Sequence, residues 1–112
     1  MKALLFLTMM IVTGLAAAAD TRDPEINRAF DRQKGGLFAV YTKALREKPG
    51  LAGKIVFQID IAATGDVAAC RVQFSSLSDP DLDRKLCDRM AQMKFKPRAA
   101  PITVTKTADF YP

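Results

Sequence analysis

Two cysteines, a run of aspartates and one lysine in a threonine-rich stretch are the residues of this sequence whose types and spacing suggest chemistry. Cys70 and Cys87 are the only thiols, and their spacing is not the C-x-x-C of redox enzymes. A disulfide between them would stabilise the fold by ~3 kcal/mol. Two buried, unpaired thiols are the alternative, because helical periodicity places Cys87 on the flank of an apolar stripe.

The aspartates at 79, 81 and 83 have the spacing of a calcium-binding loop. That loop also requires Gly at its sixth position and a bidentate Glu at its twelfth. Arg84 and Met90 occupy those positions, so the pattern predicts the start of a helix, with Asp79 as the N-cap and Pro80 in the first turn. No metal site is predicted.

The sequence contains no histidine, which removes the commonest general base and most catalytic zinc sites. The serines and acids form no recognisable nucleophile–base pair. The chain is therefore predicted not to be an enzyme and to need no cofactor. Its formal net charge of +5 comes from scattered Lys and Arg residues, which predicts no nucleic-acid partner.

Residues 1–19 have the pattern of a signal peptide: Lys2, an apolar stretch, and small residues at Ala17–Ala19. An uncleaved anchor is the alternative, although the apolar stretch falls slightly short of the ~20 residues that span a bilayer. Cleavage after Ala19 would leave residues 20–112 as a single domain in the periplasm, without a stable membrane anchor.

Hydrophobic periodicity predicts five elements in the order helix, strand, strand, helix, strand. The first helix, between Asp23 and Leu51, is either continuous or split at Gly35-Gly36, since glycine costs about 1 kcal/mol inside a helix. Its apolar stripe consists of Ile26, Phe30, Leu37, Val40, Tyr41, Ala44 and Leu45. The fold class is α+β, a three-stranded antiparallel sheet packed against two helices. The second strand is expected to place Ala68, Cys70, Val72 and Phe74 on one face, and Arg71 and Gln73 on the other. The three predicted strands span residues 54–61, 67–75 and 102–110, and the second predicted helix begins at residue 80.

The last strand carries the candidate binding site. Lys106 falls on the face that Val104 and Ala108 otherwise make apolar, and an inward-pointing charge is typical of a protected sheet edge. Such an edge can accept an extended peptide as an additional strand. Simple protection against aggregation is the alternative reading. The predicted partner-binding residues are Thr103, Val104, Thr105, Lys106, Thr107 and Ala108.

An ordered set of short motifs over residues 24–112 resembles the TonB C-terminal domain, and most closely its AgmX/PglI C-terminal relative from gliding-motility and cell-envelope proteins. The motifs that carry the resemblance are Phe57-x-Ile59-Asp60-Ile61, Gly65-Asp66-Val67, Cys70-x-Val72, Asp79-Pro80-Asp81-Leu82 and Met93-Lys94-Phe95-Lys96-Pro97.

The resemblance implies a non-catalytic interaction module of the cell envelope. In TonB, the last strand of this domain pairs with a short segment of outer-membrane transporters, and the corresponding strand here is 103–108. The implied partner is an envelope protein, either an outer-membrane transporter or a motility-complex subunit. The alternative is a structural or assembly component of a gliding-motility-like or transport complex, contacted through Arg28, Arg32 and Lys43. A homodimer is left open.

Overall fold

The computed structural model describes residues 20–112, and the predicted signal peptide lies outside them. These residues form three helices and three strands in the order helix, helix, strand, strand, helix, strand. No helix among these residues is long and apolar enough to cross a membrane. The elements are α1 (Pro24–Gln33), α2 (Gly35–Leu45), β1 (Gly53–Ile61), β2 (Val67–Ser75), α3 (Pro80–Met90) and β3 (Ile102–Phe110).

The helix starts follow from side-chain caps. The Asp23 carboxylate accepts hydrogen bonds from the backbone N–H groups of Glu25 (3.0 Å) and Ile26 (3.2 Å). Asp79 caps α3 in the same way, accepting from Leu82 N–H at 3.1 Å. Each cap satisfies donors that a helix start otherwise leaves unpaired. The predicted N-cap at Asp79 is confirmed.

The long first helix is split, with the break at Lys34. Gly36 lies just after it, where a Cβ atom would overlap the guanidinium group of Arg89 from α3. Gly35 has no such neighbour within 4 Å. The two glycines therefore differ: Gly36 allows α3 to approach α2 closely, whereas Gly35 meets no packing constraint.

The sheet has the order β2-β1-β3, and both neighbours run antiparallel to the central β1. The β1–β2 turn contains Gly65, whose φ of +95° lies in the region that favours glycine. A Cβ there would also overlap the Phe95 carbonyl oxygen. The turn is thus held against the segment that leads from α3 into β3, and the Phe95 N–H donates to the Gly65 carbonyl at 2.9 Å.

The predicted faces of β2 are wrong at Phe74 and at Ala68. Ala68 is exposed, because a register shift between Asp60 and Ile61 makes Val67 rather than Ala68 the partner of Ile61. The β1–β2 register shifts between Val56 and Phe57, so Val56 pairs with Phe74 and Phe57 pairs with Val72. Gln73 is the extra residue of this bulge, and it turns Phe74 to the other face of the sheet. Phe74 is 51% exposed and lies beneath the Lys54 ammonium group rather than in the core.

One core fills the space between the helices and one face of the sheet. Its centre is Phe57 of β1 and Phe110 of β3, both fully buried. The buried Tyr41 hydroxyl donates a hydrogen bond to the Leu51 carbonyl at 2.5 Å, and burial raises its pKa. The predicted stripe of the second helix is buried as expected: Leu82, Leu86 and Met90 lie on α3, and Met93 lies in the segment just after it. The α+β class with a three-stranded antiparallel sheet is confirmed.

Candidate functional site at the β3 edge

The last strand lies at one edge of the sheet, and its register with β1 is uninterrupted from Ile102 to Phe110. Residues of an antiparallel strand direct their backbone groups alternately towards one side and the other. The Thr105 carbonyl points away from β1, because it accepts a hydrogen bond from Thr21. Thr103, Thr107 and Asp109 share this parity and direct their N–H and C=O groups to the same free edge.

The N-terminal strap, defined as residues 20–23, lies along part of this edge. Thr21 N–H donates to the Thr105 carbonyl at 2.9 Å, and no other backbone hydrogen bond crosses the outer edge of β3 within residues 20–112. The Thr107 hydroxyl donates to Asp20 Oδ1 at 2.7 Å. The Asn27 side-chain amide donates to the Thr21 carbonyl at 3.1 Å. The strap therefore covers the middle of the strand predicted to bind a partner.

Lys106 points inward, as its alternation in the sequence predicted, and only 9% of it is exposed. Its Nζ donates to Asn27 Oδ1 at 2.9 Å and lies 4.6 Å from the centroid of the Phe30 ring. Asp20 Oδ2 is 3.8 Å from the same ammonium group. A buried charge is costly unless it is paired, so these three neighbours make the inward lysine tolerable beside the core.

A groove of about 270 Å³ borders the second half of β3, and we call it the edge groove. Phe38 forms its exposed wall, with 42% of the residue accessible, and packs edge-to-face on Phe110 at 5.3 Å between ring centroids. Side chains of a strand added beside β3 would alternate between this groove and the outer face of the sheet. The groove is lined by Phe30, Asp31, Lys34, Leu37, Phe38 and residues 106–110.

The outer face of the sheet is polar around Asp60. Arg71 contacts both carboxylate oxygens of Asp60, at 3.2 and 3.0 Å, and Thr103 donates to Oδ1 at 2.7 Å. The Arg71 hydrogen bonds, followed by that from Thr103, lower the pKa of Asp60. This network joins all three strands on the side of the sheet that carries no helices. Because Arg71 and Thr103 already pair with the Asp60 carboxylate, we interpret the network as structural.

Cys70 of β2 and Cys87 of α3 form a disulfide with a Cα–Cα distance of 5.7 Å. Both residues are half-buried, and both pack against the edge of the core. The flank position of Cys87 does not prevent the bond, because β2 is an edge strand and lies beneath that flank of α3. The disulfide joins α3 to the sheet on the side opposite β3 and has no contact with the candidate edge.

The three basic residues of the alternative interface are all exposed. Lys43 borders a separate groove of about 310 Å³ between α2 and α3, which also contains Asp79 and Asp81. Arg28 and Arg32 do not line that groove. The three residues therefore do not line one groove, whereas residues of the β3 edge do.

The arrangement at β3 combines outward backbone groups with a groove lined by both aromatic and charged side chains. These are features that an added peptide strand can use. Within residues 20–112, no cluster of three or more His, Cys, Asp or Glu side chains could hold a metal ion. Sequence reasoning missed Phe38, which falls beside the apolar stripe of the first helix. It also missed Asp20 and Thr21, whose contacts span 84 to 87 positions and leave no local pattern.

No protein-family model matches the chain, and no curated protein matches it. Similar solved structures include two TonB C-terminal domains. The TonB C-terminal domain of Helicobacter pylori, determined by NMR, has a TM-score of 0.53 and 15% identity, covering 94% of this chain and 97% of that one. The Pseudomonas aeruginosa TonB C-terminal domain, also from NMR, has a TM-score of 0.49 and 23% identity, covering 62% and 74% respectively. The match to the Helicobacter pylori domain shows that the chain has a fold like that of the TonB C-terminal domain.

Proposed function

We propose that this protein is a non-catalytic, exported interaction module that binds an envelope protein in the periplasm by strand addition at β3. The observation that carries the proposal is the outer edge of β3 beside the edge groove, where Thr103, Thr107 and Asp109 direct backbone groups away from β1 on either side of the strap-bound Thr105. Backbone pairing supplies affinity at such an edge, and pockets for alternate side chains supply specificity. Export rests on the signal-peptide pattern of residues 1–19.

The fold supports this proposal by its likeness to a TonB C-terminal domain, and the sequence resemblance assigns partner binding to the same last strand. An outer-membrane transporter and a motility-complex subunit are the two kinds of envelope partner that the resemblance implies. The AgmX/PglI relationship belongs to the proposal as well. A role as an assembly component contacted through Arg28, Arg32 and Lys43 is less favoured, because these residues share no groove.

A matched pair of substitutions tests strand addition. Thr105→Pro removes the outward N–H donor at the middle of the edge, and proline is tolerated on edge strands. Thr105→Val removes the same hydroxyl but keeps the N–H. We expect Thr105→Pro to abolish partner capture from the envelope fraction, while Thr105→Val retains it and both variants keep the circular dichroism of the parent. Equal capture by the two variants would exclude backbone pairing at Thr105.

A further inference from the structure

The middle of the proposed binding edge is already occupied by the protein itself. The strap runs antiparallel to β3: Asp20 contacts Thr107, Thr21 bonds to Thr105, and Asp23 reaches Arg98 before β3 begins, at 3.3 Å. This direction and the Thr21–Thr105 hydrogen bond are those of a short added strand. An incoming strand cannot use the Thr105 carbonyl while Thr21 holds it.

Side-chain contacts hold the strap in addition to that one backbone bond. Asp20 places one carboxylate oxygen on the Thr107 hydroxyl and the other 3.8 Å from the buried Lys106 ammonium group. Asn27 connects the two elements, since its amide donates to Thr21 and its carbonyl oxygen accepts from Lys106. The strap thus contacts both the backbone and the side chains of β3.

The strap covers only part of the strand. Its contacts with β3 involve residues 105–107, whereas the edge groove extends to Phe110. Among residues 20–112, no backbone group bonds to the outward side of Asp109. A partner segment therefore has an open starting place beside Phe38 and Phe110, next to a covered region that it must clear to extend the pairing.

We propose that the strap is an internal competitor for the β3 edge, so that a partner binds by displacing residues 20–23 from Thr105 rather than by adding to an empty edge. This inference rests on the proposed function for the identity of the binding edge. It also adds a regulatory step, because any condition that detaches the strap raises the apparent affinity for the partner. The apparent affinity equals the intrinsic affinity of the open edge multiplied by the fraction of molecules in which the strap is detached.

A release variant, Asp20→Ala/Thr21→Pro, removes the carboxylate and the N–H that attach the strap while keeping the helix cap at Asp23. Arg22→Ala, in an exposed residue of the same segment, is the matched control. The probe is an acetylated and amidated peptide with the sequence of residues 20–25. It is titrated, with NMR detection at the amides of residues 103, 105 and 107, into protein isolated from cells that express the full chain.

The release variant is expected to bind the peptide with a midpoint at least about fivefold lower than the parent and Arg22→Ala, since one net hydrogen bond corresponds to roughly that factor. Equal midpoints, or no binding to any of the three proteins, would overturn the competitor role. If the double variant does not fold, Asp20→Ala alone is titrated with the same criterion. No cellular partner enters this titration, so its failure is distinguishable from failure of the proposed function.

Discussion

The ammonium group of Lys106 lies 4.6 Å from the centroid of the Phe30 ring, so a charge on the inner face of β3 packs against an aromatic side chain of α1. Cation–π contact and the hydrogen bond to Asn27 together compensate for the loss of water around this lysine. The same contact joins the edge strand to α1, and both residues line the edge groove. The candidate site is therefore built on a fixed part of the fold.

Replacing Lys106 with Ala should lower the free energy of unfolding by about 2 kcal/mol, because the side chain loses its packing on Phe30 and its hydrogen bond to Asn27. Urea denaturation measures this change. Lys96→Ala is the control, since Lys96 is exposed and its ion pair with Glu25 lies at the surface; it should change stability by no more than about 0.5 kcal/mol. Equal effects of the two substitutions would contradict this account of Lys106.

The two glycines of the first helical region give a matched pair. Gly35→Ala should stabilise the protein by about 0.5–1 kcal/mol, because the space around it is open and alanine favours helix. Gly36→Ala should be less stabilising, or destabilising, because its methyl group displaces the Arg89 guanidinium group. In an Arg89→Ala background the two substitutions should become equivalent, and a double-mutant cycle from thermal unfolding measures that. A difference that persists without Arg89 would show that the side chain is not the cause.

Removing both cysteines should cost about 3 kcal/mol of stability, since the cross-link closes a loop of 17 residues between β2 and α3. The Cys70→Ala/Cys87→Ala variant and the reduced parent should unfold at similar urea concentrations, and reductant should not affect the variant. Free thiols detected in the unreduced parent by alkylation and mass spectrometry would contradict the disulfide.

The free energy of unfolding should fall as the pH drops below about 4, in part through Asp79. A hydrogen bond from Lys48, followed by that from the Leu82 backbone, lowers the pKa of Asp79 below its ordinary value of 3.8. A carboxyl whose pKa is lower in the folded state stabilises the protein above the unfolded-state pKa, and this contribution is lost as pH falls through the folded-state pKa.

Asp79→Asn keeps the helix cap and removes the charge. The variant should therefore lose less stability than the parent between pH 5 and pH 3 in urea denaturation, because it has no carboxylate at position 79 to be protonated. Glu47→Gln, at an exposed position nearby, is the control. Parallel pH profiles of the parent and Asp79→Asn would exclude a contribution from Asp79.

Local rules in the sequence determine α3 and β3 well. Asp79 and Pro80 start α3 at the predicted residue, and alternation places β3 at Ile102–Phe110 as expected. Both features rest on interactions between residues close in the chain. The fold class followed because the apolar stripes of these elements have few ways to be buried together.

The features that sequence reasoning missed depend on contacts between distant residues. The bulge at Gln73 is decided by how β2 matches β1, and no turn or glycine marks it. Helical periodicity left Phe38 off the apolar stripe, and only the packing of Phe110 against it shows its place beside the site. The strap has no periodic signal, because its single backbone bond to β3 joins Thr21 to a residue 84 positions away.

Strand addition at β3 is tested most directly by photo-crosslinking in the cells that make the protein. A benzoylphenylalanine residue is placed in turn at positions 103, 105 and 107, with position 73 on β2, the opposite edge strand, as the control. Mass spectrometry then maps the crosslinked residues of the captured protein. Addition of a partner strand predicts one envelope protein whose crosslinked residues shift in steps of about two as the probe moves along β3. Crosslinks that do not follow the probe, or the same adducts from position 73, would contradict it.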